Sequence, residues 1–149
     1  MSQFEVRARL KIREGQLEGF KRQAAEIMRQ AREKDTGTLA YDWYLSNDGT
    51  ECEVRESYVD ADALIQHAFN VREAREKLYA EFAYDHKMVF YSDPSPRLLE
   101  LMGQFGVPFT WFTPLQSLEP AGVHSVGPTS GRGDNGEQER YLVDSAIRG

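Results

Sequence analysis

Between Phe4 and Ile12 the chain reads FEVRARLKI, and every second residue is apolar. Phe4, Val6, Ala8, Leu10 and Ile12 point one way, while Glu5, Arg7, Arg9 and Lys11 point the other. A period of two places successive side chains on opposite faces of a strand, so this segment has one face to bury and one to leave polar. After Gly15 the period lengthens, with Leu17, Phe20, Ala24, Ile27, Met28 and Ala31 recurring at three and four residues. That spacing forms the apolar stripe of an amphipathic helix of about five turns. Its end is predicted near EKDTGT, where Gly37 would supply a left-handed closing conformation.

Two further strands follow, TLAYDWYL and ECEVRESYV, joined by a loop containing Asp48-Gly49. That dipeptide tolerates the positive φ angles of tight hairpin turns. The second of these strands puts Cys52, Val54, Glu56 and Tyr58 on one face. Asp60 is placed to cap the next helix, and Asp62 falls in its first turn, where a negative charge suits the helix dipole. Leu64, His67, Ala68 and Val71 share a helical face, and the pattern runs on to Phe82 with a break near Asn70. HKMVFYS is the fourth strand, RLLELMGQFG a short helix stopped by Gly106, and VPFTWFTPL an extended segment whose prolines bar it from a central position.

The order strand, helix, strand, strand, helix, strand is the split βαβ arrangement of a ferredoxin-like α+β fold with an antiparallel sheet. Helices then cover one sheet face, leaving Arg7, Arg9, Glu53 and Arg55 on the other, where they can form a ladder of charges across neighbouring strands. One reading of that face is simple solvation. The hairpin strand, however, carries Tyr41 and Trp43 on one side and Tyr44 on the other. Apolar bulk on both faces points to a cover for the second, and a second copy of the sheet supplies one by an isologous contact.

With 149 residues the chain fits one domain, expected over residues 1–118, and a tail. From residue 119 to 149 the composition shifts to Gly, Pro, Ser and charge, which reads as a flexible segment. The net charge of -6 argues against a nucleic-acid partner, because such binding depends on cations that neutralise phosphates. No apolar run approaches the roughly 20 residues that span a bilayer, so a cytoplasmic protein without a membrane partner is expected. Cys52 is the one cysteine, which excludes an intrachain disulfide and a thiolate metal cluster.

The stretch GTLAYDWYLSNDGTECEVRESYVDADALIQHAFN resembles the hairpin and second helix of the antibiotic biosynthesis monooxygenase family. The shared pattern there is a Gly and a Tyr in the second strand, a Glu then an aromatic residue closing the third, and an Ala-Leu-x-x-His helix. VFYSDPSPRLLELMGQFGVPF is similar to the ending of one subgroup, and together the likeness covers roughly residues 4 to 112. The resemblance implies a homodimer that forms an α+β barrel from two ferredoxin-like sheets. It also implies oxidation of phenolic, quinol or anthrone-like rings by molecular oxygen, without metal, flavin or other cofactor. A related branch degrades haem with an Asn, a Trp and a His. Here the first strand has no Asn and the residue closing the third strand is Tyr58 rather than Trp, which argues against that activity.

Such oxidation needs an apolar pocket, a base for the ring hydroxyl and a few polar groups. His67 matches the family's helix histidine, and its ordinary pKa of about 6.5 suits a base near neutrality. The competing reading is a core-edge histidine bonded to a carbonyl or carboxylate. Glu56 lies on the apolar face between Val54 and Tyr58, so it must be paired or have a raised pKa, and it is a candidate to orient His67. Tyr41, Trp43 and Tyr58 are candidates for the wall on which a small aromatic substrate stacks, or else plain core. Asn70, one turn beyond His67, and His86, at the start of the fourth strand, are candidates for the pocket mouth. His67, His86 and Glu56 show no close metal-ligand spacing. Two functions fit these residues: a cofactor-independent monooxygenase, and a non-catalytic dimeric module that binds a small aromatic ligand.

Overall fold

The computed structural model describes residues 3–118, so the tail expected at 119–149 lies outside the described residues. The elements are β1 (Phe4–Ile12), α1 (Leu17–Lys34), β2 (Thr38–Leu45), β3 (Glu51–Tyr58), α2 (Ala61–Asn70), α3 (Arg72–Glu81), β4 (Ala83–Phe90), α4 (Pro96–Phe105) and β5 (Phe109–Trp111). They form a five-stranded sheet of order β2-β3-β1-β4-β5. The first four strands pair antiparallel in the ferredoxin-like order, and β5 adds in parallel to the outer side of β4. The compact unit that holds the sheet and its helices ends at Thr113.

Alternation in β1 buries Phe4, Val6, Ala8, Leu10 and Ile12 beneath the helices. Each large side chain removed from water there stabilises the fold by roughly 1.5–3 kcal/mol. The apolar interior falls into two clusters. One gathers Leu10, Phe20, Ile27, Val54, Val71 and Leu78 under α1 and α3. The other gathers Phe4, Tyr58, Leu64, Ile65, Phe90, Leu98 and Met102 under α2 and α4. The break between α2 and α3 at Val71 therefore divides a helix that serves one cluster from a helix that serves the other.

Asp60 caps α2 by accepting from the Ala63 N–H at 2.9 Å, and Gly106 closes α4 at φ 68°. Gly37 does not close α1 in a left-handed conformation, contrary to the sequence reading: the cap of that helix is Asp35, with extended backbone. Gly37 is needed for closeness instead. A Cβ there would stand 2.6 Å from the Cβ of Ala63 and 3.0 Å from Val59 Cγ2, so the missing side chain lets the start of β2 lie against α2. Strand β4 begins at Ala83 rather than His86, three residues earlier than the apolar pattern indicates.

Two register shifts interrupt the sheet. In β2 the pairing steps from Thr38↔Tyr58 to Ala40↔Ser57, leaving Leu39 as an extra residue. In β4 it steps from Tyr84↔Lys11 to Lys87↔Arg9, and Asp85 within the extra stretch adopts φ 57°. Each bulge reverses the alternation of its strand. As a result Thr38 and Tyr41 both face the helices, and so do Ala83 and His86, although each pair is three residues apart. On the opposite sheet face Glu53 sits between Arg7 at 3.2 Å and Arg9 at 3.8 Å, the expected cross-strand charge contacts.

Candidate functional site

Where the two clusters meet, the packing leaves a cavity of about 80 Å³. That is room for several waters, since one needs ~10–15 Å³ on the same measure. Its walls are mostly apolar, with Leu10, Ile27 and Val54 on one side and Ile65, Leu98 and Met102 on another. Into this lining project Tyr41, Trp43, Glu56, His67, Arg75, Tyr79 and His86.

His67 comes from the last turn of α2 and is only 4% exposed. Its Nδ1 meets Oδ2 of Asp35 at 2.7 Å. Asp35 also accepts from Thr38 Oγ1 at 2.8 Å and from Asn70 Nδ2 at 2.9 Å. Burial alone would raise the Asp35 carboxyl, but the hydrogen bonds from His67, Asn70 and Thr38 outweigh it and hold the group below its ordinary value. An ionised carboxylate only accepts, which assigns the imidazole proton to Nδ1 and leaves Nε2 as the atom free to take a proton. The Tyr41 ring stands edge-on to the imidazole with centroids 4.5 Å apart.

Glu56 projects from the middle of β3 and is 6% exposed. Its Oε1 accepts from the Tyr58 hydroxyl at 2.5 Å. Burial pushes the Glu56 carboxyl above its ordinary range, against the opposing pull of His67, the Tyr58 hydroxyl and Arg75. Burial, and after it the neighbouring Glu56, raise the hydroxyls of Tyr41 and Tyr58 well above their ordinary value. Both phenols thus stay neutral donors, while Glu56 is a buried carboxyl able to hold a proton.

A third group enters from α3 and β4. Arg75 and Tyr79 are one helical turn apart, and the Tyr79 ring stacks on His86 with centroids 4.7 Å apart and planes at 19°. Burial, and next the charge of Arg75, push His86 down to about 4, so its imidazole is neutral near pH 7. Arg75 is half-buried, donates from Nη1 to the Ala68 carbonyl at 2.9 Å, and lies over the Phe105 ring of α4 at 5.4 Å. Burial raises the Cys52 thiol to about 11, which leaves it inert as a nucleophile. The buried indole N–H of Trp43 meets no acceptor among the described residues.

Of the residues singled out from sequence, Tyr41, Trp43, Glu56, His67 and His86 line the cavity together. Tyr58 and Asn70 do not. Tyr58 is fully enclosed in the second cluster and acts on Glu56 from behind, and Asn70 is turned away to hold Asp35. Glu56 bonds Tyr58 rather than orienting His67, a role that falls to Asp35. Sequence reasoning missed Asp35, Arg75 and Tyr79. Asp35 lies 32 residues from its partner in an ordinary polar loop, and Arg75 sits in the charged run VREAREK, which reads as a solvated face. The one signal for Arg75 was its spacing of four from Tyr79. No group of three or more side chains able to hold a metal ion occurs among the described residues.

Residues 3–74 match the family described as "Antibiotic biosynthesis monooxygenase". Among solved structures, MupZ from Pseudomonas fluorescens is similar with a TM-score of 0.65 at 23% identity, over 81% of this chain and 91% of that one. Protein SO0527 from Shewanella oneidensis is similar with a TM-score of 0.54 at 20% identity, over 60% of this chain and 88% of that one. Rv0793 from Mycobacterium tuberculosis matches with a TM-score of 0.54 at 22% identity, over 63% and 97%. At these identities the shared property is the fold. No curated protein matches the chain.

Proposed function

We propose, from the premise that the chain carries a domain of the antibiotic biosynthesis monooxygenase family, that it is a cofactor-independent monooxygenase acting on a phenolic, quinol or polyketide-like ring. The observation that carries this reading is the buried Asp35–His67 pair at 2.7 Å, opening onto an apolar cavity beside a carboxyl of raised pKa. His67 Nε2 takes the proton of the ring hydroxyl, and the Asp35 carboxylate stabilises the imidazolium that results. The ring anion then supplies its own electrons to oxygen, which bonds to the electron-rich carbon as a hydroperoxide. Loss of the hydrogen on that carbon and cleavage of the O–O bond leave a carbonyl, and the second oxygen atom departs as water with protons returned by His67 and Glu56. For a phenol the balance is ArOH + O2 giving a quinone and water. The mostly apolar lining favours this course because, once the ring fills the cavity, it limits solvation of the anion.

Oxygen uptake by metal-free protein with hydroquinones, dihydroxynaphthalenes and anthrones tests the reading, with His67→Ala as the control. Uptake that needs no added cofactor and falls at least about tenfold in the variant supports it. A binding module is the second reading, favoured by the fact that His67 and Glu56 each already have a protein partner. Absence of uptake with every compound, together with a raised melting temperature on adding one of them, selects that alternative.

The same proposal includes a homodimer through the outer sheet face. Tyr44 on that face is 52% exposed, and the stacked pair Tyr91 and Phe112 at its other end is 37% and 62% exposed. No helix among the described residues is long and apolar enough to cross a membrane.

A further inference from the structure

We propose that Arg75 forms an anion subsite in the cavity, so that the ring this site takes carries a carboxylate. The inference rests on the reading of the cavity as a ring-binding site and names the chemical class of its ligand. Arg75 is the one lysine or arginine in the cavity lining, and among the described residues it forms no ion pair. Among the described residues Arg7, Arg9, Arg29, Arg72 and Arg97 each contact a carboxylate, and Arg13, Arg22, Arg32 and Arg55, which do not, are exposed to water, whereas Arg75 is half-buried and unpaired.

Setting a half-buried guanidinium against an apolar wall without a counter-ion costs solvation that the fold does not recover locally. Its position is nevertheless fixed, by the Ala68 carbonyl on one side and the Phe105 ring on another. One of five N–H donors is used by that carbonyl, which leaves a planar fork suited to bidentate recognition of a carboxylate. The charge of Arg75 is felt by Tyr41, Glu56, Tyr79 and His86, all of which line the cavity.

The number of cations decides between anions. One guanidinium, a neutral His86 and the Glu56 carboxyl in the same lining match a single negative charge, whereas a phosphate dianion would meet too little positive charge. Neutral His86 and the Tyr79 ring stacked on it add a polar edge and a flat surface beside the guanidinium. The arrangement therefore fits an aromatic acid, with its carboxylate on Arg75 and its hydroxyl directed to His67.

Calorimetric binding under argon tests this without turnover, using 2,5-dihydroxybenzoate and 1,4-dihydroxy-2-naphthoate, each against its own carboxamide. The expected result is at least about tenfold tighter binding of one acid than of its amide, a ratio that falls below about threefold in Arg75→Gln and is partly kept in Arg75→Lys. Should no acid outbind its amide in the wild type, including the case in which nothing binds, the proposal is overturned. It is equally overturned if the preference survives in folded Arg75→Gln, and Arg75→Met, which also removes the charge, serves that comparison if the glutamine variant does not fold. Because oxygen is excluded, a failed oxidation reading leaves the charge preference intact, and a failed charge preference leaves oxygen uptake to be judged by itself.

Discussion

The Tyr58 hydroxyl donates to Glu56 Oε1 at 2.5 Å across two positions of the same strand face, so a buried acid is held by a donor placed behind it. Tyr58→Phe removes that donor while keeping the ring. The hydrogen bond pulls the Glu56 carboxyl down against burial, so its loss should raise the carboxyl further. A stability loss of about 1–3 kcal/mol is expected from the unsatisfied acceptor. Carboxyl NMR titration and urea unfolding read the two effects, and a Glu56 titration unmoved by Tyr58→Phe would contradict them.

Asp35→Asn tests the other pair. The amide keeps the shape but replaces an acceptor-only group with one that can also donate, so the Nδ1–H form of His67 is no longer enforced. Oxygen uptake is expected to fall about 10–100-fold with the melting temperature changed by much less than in His67→Ala. Wild-type uptake in Asp35→Asn would remove Asp35 from the mechanism.

His86 gives the protein an acid-side weakness. Its folded value of about 4 lies below the ordinary 6.5, so the unfolded chain binds more protons between those values. Stability should therefore decline as pH falls from about 6.5 toward about 4, and be unaffected by this group above that window. Urea midpoints measured across the window should slope less in His86→Gln than in the wild type.

Gly37 and Ala63 make a testable steric pair. Gly37→Ala places a methyl 2.6 Å from the Ala63 Cβ and should destabilise by about 1–3 kcal/mol. Adding Ala63→Gly should recover part of the loss despite its own helix cost of about 1 kcal/mol. Simple additivity in the double-mutant cycle would show that the contact is not the cause.

The outer sheet face leads to a prediction about assembly. Sedimentation of the wild type is expected to give a dimer, and Tyr44→Glu should shift it toward monomer, because the substitution places a charge beside Glu53, the cross-strand partner of that residue. A wild-type monomer at all concentrations would rule out the barrel.

Much of the fold was legible because period and punctuation survive in one dimension. The alternation of Phe4 to Ile12, the stripe from Leu17 to Ala31, the Asp48-Gly49 turn and the Asp60 cap each depend on neighbours within a few residues. Glu56 and His67 were legible for the same reason, as polar groups on apolar faces. What set their chemistry was not. Asp35 reaches His67 only after the sheet has formed, and Arg75 reads as surface until Phe105 of α4 and the Ala68 carbonyl are brought beside it. Tyr58 was on the expected face but too deep to meet a ligand, and periodicity carries no depth.

The bulges at Leu39 and Asp85 make the cavity sensitive to chain length in a way that ordinary substitutions are not. Removing Asp85 would restore regular pairing along β4 and relieve its left-handed backbone, yet the shortened strand could keep only one of Ala83 and His86 on the helix side. Removing Leu39 would set Thr38 against Tyr41 in the same manner. A single-codon deletion at either point would thus yield a more ideal sheet with a dismantled site, and a random deletion library would separate the requirements of folding from those of the cavity at these two positions.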